Sequence, residues 1–236
     1  MRSKGRGRLW SQGFPTAIEL PLGKILVHIP SGRYVVGMEK RKRQPVVTRR
    51  RILEVAGEEF SKSGYAASGL GGIVETAGLT KGALFHHFAD KRSLGLAWVN
   101  EVVADGIRGR WVEPMAELGS LDGLKAFCRV RLTEMTANDE LAGLVLMAAE
   151  MGSVDAVMAA GLEEVFEIWR GGFAELLERG KLAGWIHRSI QPAVEAPFFV
   201  SMICGFSVGM RLPSADATRR MGLMALDGYL ETLRAV

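Results

Sequence analysis

Between Gly64 and Leu94 the chain reads GYAASGLGGIVETAGLTKGALFHHFADKRSL, and its reactive groups are hydroxyls and cations rather than nucleophiles. Ser68 and Thr80 carry hydroxyls, Lys81 and Lys91 ammonium groups, and His86 and His87 imidazoles. Apolar residues recur at Leu70, Ile73, Val74 and Ala77, and again at Leu84 and Phe88, so two short helices are expected on either side of Ala77-Gly78-Leu79-Thr80. Ser68 and Thr80 stand where N-caps belong. Burying Leu84 and Phe88 turns Lys81, Gly82, Ala83, Phe85 and His86 outward. Small residues on that side permit close approach to a DNA major groove, and Lys81 and His86 can meet phosphates or base edges. Thr80 adds a hydroxyl beside a helix N-terminus, where anions are favoured. The pattern is a helix-turn-helix addressed to a polyanion.

Other chemistries find less support. His86 and His87 are adjacent and diverge on a helix, with no carboxylate or thiol at ligand spacing, so no metal is expected. Gly69-Leu70-Gly71-Gly72 fails the spacing of a phosphate loop and follows no strand. Cys128 and Cys204 lie in apolar stretches; Arg129 is next to Cys128 but points about 100° away around a helix, so both thiols read as structural. No nucleophile–base pair appears, and neither an enzyme activity nor a cofactor is expected.

Charge is distributed unevenly. The net charge is +4, yet residues 1–50 hold 12 Lys and Arg against the two acids Glu19 and Glu39. The remainder is therefore acidic, and a polyanion contacted from one end fits that balance as well as a solvated basic tail does. Two cysteines in 236 residues suit a reducing compartment. The longest uncharged run, Ala196 to Met210, is too short to span a membrane and contains Pro197, so it reads as buried core. No apolar core with a small-residue cleavage site follows the basic first residues, so no secretory leader is expected and the protein reads as cytoplasmic.

Four segments follow. Residues 1–37, rich in Gly, Pro and Arg with strand-like runs at Lys24–Ile29 and Tyr34–Val36, read as a disordered extension or as upstream translation before Met38. Residues 38–47 form a basic arm with Lys40, Arg41, Lys42 and Arg43. Residues 48–108 hold the DNA-binding helices, and residues 109–236 a second helical body. Helices are expected over about Thr48–Ser63, from Asp90 to before Pro114, and over Leu121–Thr136, Leu141–Met151 and Val154–Leu182. Two more are expected, from Pro192 or Pro197 to Arg211 and over Ala215–Arg234. Along the longest, Met158, Leu162, Val165, Trp169, Phe173 and Leu176 recur at spacings of three and four. The helix carrying Phe198, Phe199, Met202, Ile203 and Phe206 is apolar nearly all round, so its own domain must cover one side and a second subunit the other.

The stretch from Gly64 resembles the DNA-binding domain of the TetR family. The matching positions are Gly64-Tyr65, Ile73-Val74, Ala77-Gly78-Leu79-Thr80, Lys81-Gly82-Ala83-Leu84-Phe85-His86-His87-Phe88 and Lys91, about 45 residues in register. Ala83 and Phe85 stand where relatives carry Thr or Ser and Tyr, which removes two hydroxyls from the DNA side. Arg92 replaces a common Glu, adding positive charge at the backbone side. The resemblance implies an all-α fold, a nucleoid-associated homodimer and a near-palindromic operator. It implies a repressor released by a small hydrophobic or amphipathic ligand, although an activator is not distinguished from a repressor. Lys91 and the basic arm would join the DNA contacts. Phe127, Cys128, Met147, Phe166 and Trp169 would wall a ligand pocket, each alone reading as core, with Glu150 as its polar handle or a solvent-facing residue. The last two helices would pair between subunits through Phe198, Met202, Phe206, Met224 and Leu226, with no membrane partner.

Overall fold

The computed structural model describes residues 17–20, 24–29, 33–38 and 45–235, with side chains from Thr48 onward. β1 (Ala17–Leu20), β2 (Lys24–Ile29) and β3 (Arg33–Met38) form an antiparallel meander that pairs Ile18 with Leu26 and Val27 with Val35. Both strand-like runs are strands, so the expectation of disorder is corrected at these residues: β-branched runs separated by Pro and Gly can satisfy their backbone groups by pairing. Lys40, Arg41, Lys42 and Arg43 lie outside the described residues.

From Pro45 onward the class is all-α as expected, with nine helices among the described residues. They are α1 (Pro45–Ser63), α2 (Leu70–Thr76), α3 (Lys81–His87), α4 (residues 91–116), α5 (Leu121–Glu134), α6 (Glu140–Met151), α7 (Ala156–Ala183), α8 (Pro192–Gly209) and α9 (Ala215–Glu231). Residues 46–236 cluster as one compact unit with a single apolar core running from Ile52 to Leu233.

α4 does not stop before Pro114. It begins at Asp90, whose carboxylate accepts the Ser93 N–H at 2.7 Å while Ser93 Oγ accepts the Asp90 N–H at 3.1 Å, a reciprocal cap. It then runs through two π segments, Trp98–Val103 and Arg108–Val112, and ends at Ala116. The second segment lies just ahead of Pro114, and a wide turn is a place where a missing backbone N–H is absorbed. One helix therefore crosses residue 108, where a domain boundary was expected.

Trp98 fastens α4 to its neighbours. Its indole is fully buried and meets Phe60 of α1 edge-on at 5.5 Å. A Cβ at Gly57 of α1 would come within 2.3 Å of its Nε1, and one at Gly143 of α6 within 2.7 Å of its ring. Two helices thus approach the same indole through glycine. The six periodic residues of α7, Met158 to Leu176, are all buried against this core.

Three helix ends are closed by arginines from elsewhere in the chain. Arg179 of α7 donates to the Met115 carbonyl of α4 at 2.9 Å. Arg219 of α9 donates to Leu132 and Met135 at 3.1 Å, and to Thr133, at the end of α5. Arg211, just beyond α8, donates to Ser61 at 2.7 Å and Lys62 at 3.0 Å at the end of α1. A cation there satisfies orphan carbonyls and complements the helix dipole.

Gly143→Ala places a methyl against Trp98 and within 2.5 Å of Ser61 Oγ. Overpacking of this kind lowers unfolding stability by about 1–3 kcal/mol. Gly171→Ala, with no neighbour within 4 Å of the new atom, is expected to raise it instead, by about 0.4–1 kcal/mol. Urea unfolding midpoints of the two variants against the parent chain test the opposite signs.

Candidate nucleic-acid interface

The turn between α2 and α3 is built by local rules. Gly78 takes φ +65°, the left-handed region that favours glycine, and its N–H donates to Glu75 at 3.0 Å. The Leu79 N–H returns to Val74 at 3.0 Å. Thr80 is extended, and its Oγ1 accepts the Ala83 N–H at 3.2 Å, as expected of the cap. A hydroxyl that accepts still has its own proton to donate.

α3 shows two faces. Leu84 and Phe88 are buried at 0% and 3%, while Lys81, Gly82 and His86 are exposed and Phe85 is 50% exposed. Ala83 is half-buried. His87, half-buried on the near side, is pushed below the ordinary imidazole range by burial first and by His86 and Arg49 next. The structure therefore brings Thr80, Lys81, Gly82, Phe85 and His86 together on one open surface, with Ala83 at its edge.

Two of the residues expected at DNA are engaged inside the chain. Ser68 is 4% exposed, and its hydroxyl donates to the Tyr65 carbonyl at 2.8 Å. Gly69, not Ser68, is the N-cap of α2, because that hydroxyl closes the preceding turn instead of reaching forward. Lys91 donates to the Ala66 carbonyl at 3.1 Å and sits 4.6 Å from the centre of the Tyr65 ring. Burial lowers its pKa, with Glu150 opposing. Arg92, expected to add charge at the backbone side, is paired with Asp155 at the start of α7. That partner, with the N–H groups of Met158 and Val157, holds the Asp155 carboxyl below its ordinary range.

The residues expected to wall a pocket fall into two groups. Trp169 is fully buried and Phe127 half-buried, and both meet Trp111 of α4, at 4.8 Å and 5.9 Å between ring centres. Phe199 lies 6.2 Å from Trp111 and stacks on Phe173 at 3.9 Å. Cys128 and Met147 are fully buried, and Phe166 is half-buried against the core. These side chains pack an aromatic core. Trp111, which sequence reasoning passed over, sits at its centre, and the Trp169 Nε1 proton has no partner there. A cavity of about 100 Å³ adjoins it, lined in part by Ile107, Trp111, Met135, Leu141 and Arg131. Glu150 belongs elsewhere. Its carboxylate accepts the Ala66 N–H at 2.8 Å, in a space kept open by Gly64 at φ +86°. It is a strut to the DNA-binding helices rather than a pocket handle. Burial pushes both thiols, Cys128 and Cys204, up to about 12, which leaves almost no reactive thiolate near neutral pH.

α8 and α9 carry an open apolar face. Val194, Phe198, Val208 and Leu212 are 60%, 53%, 48% and 54% exposed, and Met221 and Met224 of α9 are 70% and 76% exposed. Met202 and Phe206 are half-buried, with Phe206 packed against Gly222 of α9. Leu226 is fully buried within its own chain, not on the outer face. Two residues along a helix turn about 200°, so Met224 and Leu226 cannot share a side. By length and composition α8 could also cross a membrane, but its inner side packs on α6, α7 and α9.

Comparison with known proteins joins these observations. Residues 52–97, from α1 into α4, match the model of the bacterial regulatory proteins of the tetR family. The chain is 28% identical over 136 residues to the HTH-type transcriptional regulator LmrA of Bacillus subtilis, covering 56% of this chain and 72% of that protein. It is 35% identical over 82 residues to the HTH-type transcriptional repressor AcnR of Corynebacterium efficiens, covering 35% of this chain and only 41% of that protein. The fold matches a TetR transcriptional regulator from Chloroflexus aurantiacus with a TM-score of 0.71 and 22% identity, over 82% of this chain and all of the other. The helix-turn-helix, its caps and its outward cationic face coincide with the residues this family model matches, and the relatives are transcription regulators rather than enzymes. Residues 52–97 thus carry the helix-turn-helix that the tetR-family regulatory proteins share, on a helical fold like that of a TetR regulator.

Proposed function

We infer that the protein is a homodimeric repressor that sets α3 of each subunit into the major groove of a near-palindromic operator and is released by a small hydrophobic or amphipathic ligand. The observation that carries this reading is the division of α3. Leu84 and Phe88 anchor it, and Lys81, Gly82, Phe85 and His86 stand free. Gly82 and Ala83 let the helix approach closely, Lys81 and the Thr80 hydroxyl reach phosphate, and His86 reaches a base edge or a second phosphate. Without hydroxyls at Ala83 and Phe85, the basic arm at Lys40–Arg43 carries a larger share of the electrostatic affinity.

The dimer rests on the open face of α8 and α9. Phe198, Val208, Leu212 and Met224 form an apolar surface of the kind that a second copy buries. Release rests on α4, which holds Trp98 against α1 at one end and Trp111 in the aromatic core at the other. A ligand that repacks Trp111 and the adjoining cavity favours a different setting of α4, and so a different spacing of the two recognition helices.

Lys81→Ala is expected to weaken binding to a duplex that the protein selects from a random pool, and to reduce the slope of log affinity against log salt by about one. His86→Ala is expected to weaken binding and to relax the sequence preference. Fluorescence anisotropy across a salt series, on the selected and on a scrambled duplex, reads both effects, and an unchanged slope for Lys81→Ala with an unchanged preference for His86→Ala would refute the assignment of this face. Phe198→Glu with Met224→Glu is expected to yield a folded monomer in sedimentation velocity. A dimer that survives both charges would place the subunit contact elsewhere.

A further inference from the structure

The end of α1 and the turn that follows it are gripped from three directions by side chains from elsewhere in the chain. Lys91 of α4 takes the Ala66 carbonyl at 3.1 Å, and Glu150 of α6 takes the Ala66 N–H at 2.8 Å. Arg211 adds the third hold, and it reaches furthest along the chain. Its Nη1 donates to Ser61 at 2.7 Å and to Ala137 at 2.7 Å, and its Nη2 to Lys62 at 3.0 Å. One guanidinium thus joins the end of α1, the loop between α5 and α6, and the turn between α8 and α9. No other side chain among the described residues hydrogen-bonds both the end of α1 and the loop between α5 and α6.

Arg211 also lies within the open apolar face. Val208 and Leu212, on either side of it in sequence, are 48% and 54% exposed. Whatever covers that face sits next to a side chain whose far end holds the DNA-binding helices. We propose that Arg211 is a positioning residue for DNA binding: its planar fork fixes the orientation of α1–α3 on the helical body and links that orientation to the outer face of α8 and α9. The fork is needed because three carbonyls of two segments must be met at once. A lysine keeps the charge at the end of α1 but presents a single point of donors. This role goes beyond the repressor reading, since it concerns the orientation of helices within one subunit.

The test is an intramolecular distance. Nitroxides are attached to the exposed positions Lys81→Cys and Glu164→Cys in a full-length Cys204→Ala background, Cys128 being fully buried. The labelled protein is diluted into unlabelled protein so that only distances within one chain contribute. With Arg211 in place, pulsed electron resonance is expected to return one narrow distance. Arg211→Ala and Arg211→Lys are each expected to lose it for a broad or doubled distribution, with helical content by circular dichroism unchanged. Arg211→Lys, which keeps charge and bulk, decides the matter if Arg211→Ala does not fold. A narrow, unshifted peak in either folded variant would overturn the proposal, and in the lysine variant it would reduce Arg211 to an ordinary charge at a helix end.

Arg211→Ala and Arg211→Lys, with Lys81 and Glu164 intact and no label attached, are measured against the duplex selected by the parent protein. If one molecule in ten keeps the competent orientation, apparent affinity falls about tenfold. A parent protein that selects no duplex would sink the repressor reading, and the distance measurement would still decide the role of Arg211.

Discussion

The structure depends on one buried indole. Trp98 fills the space between α1 and α6, and both helices give up a side chain, at Gly57 and Gly143, to let it in. An aromatic ring fixed by glycines on two sides and by Phe60 at its edge leaves α4 few ways to move without carrying α1 along. The Trp98 Nε1 proton has no partner, so the site is held by shape alone. A helix-turn-helix of two seven-residue helices packed on α1 buries little on its own. Here its core is continuous with that of the remaining helices, and the same α4 that completes the first also carries Trp111 into the second.

Charge is deployed in two ways around that core. Arg49, Lys91, Arg92, Arg179, Arg211 and Arg219 all face inward partners: carboxylates, ring faces and the carbonyls at helix ends. Each is partly exposed, where a simple ion pair contributes little. Arginines set on several carbonyls do more, because they satisfy groups that a helix end leaves open. Lys81 and His86 remain on the open side of α3, and in sequence the arm at Lys40–Arg43 precedes α1. Much of the cationic charge thus holds the chain together, while Lys81 and His86 stand open on α3.

How much of this was legible in the sequence follows from the range of each interaction. The helix-turn-helix was readable because its determinants are local: a glycine in the left-handed region at Gly78, caps at Thr80 and Asp90, and apolar spacing that turns Leu84 and Phe88 inward. The periodic face of α7 was readable for the same reason. The contacts of Ser68, Lys91 and Glu150 were not legible because their partners, at Tyr65 and Ala66, are backbone groups that no residue pattern announces. Glu150 is 84 residues from Ala66 along the chain. Leu226 was assigned to the outer face beside Met224, although helical phase alone separates them. The passage of α4 through Pro114, the role of Trp111 and the three arginine caps depend on tertiary packing, which the sequence encodes without a local signature.

The central claim is that α3 reads duplex DNA as one of a symmetric pair. Selection of bound fragments from a randomised duplex pool, with the full-length protein at moderate salt, tests it most directly. The account predicts a near-palindrome whose half-sites lie about one helical turn, roughly 10 base pairs, centre to centre, or a small multiple of that. Enrichment of no motif, or of a single asymmetric one, would contradict it.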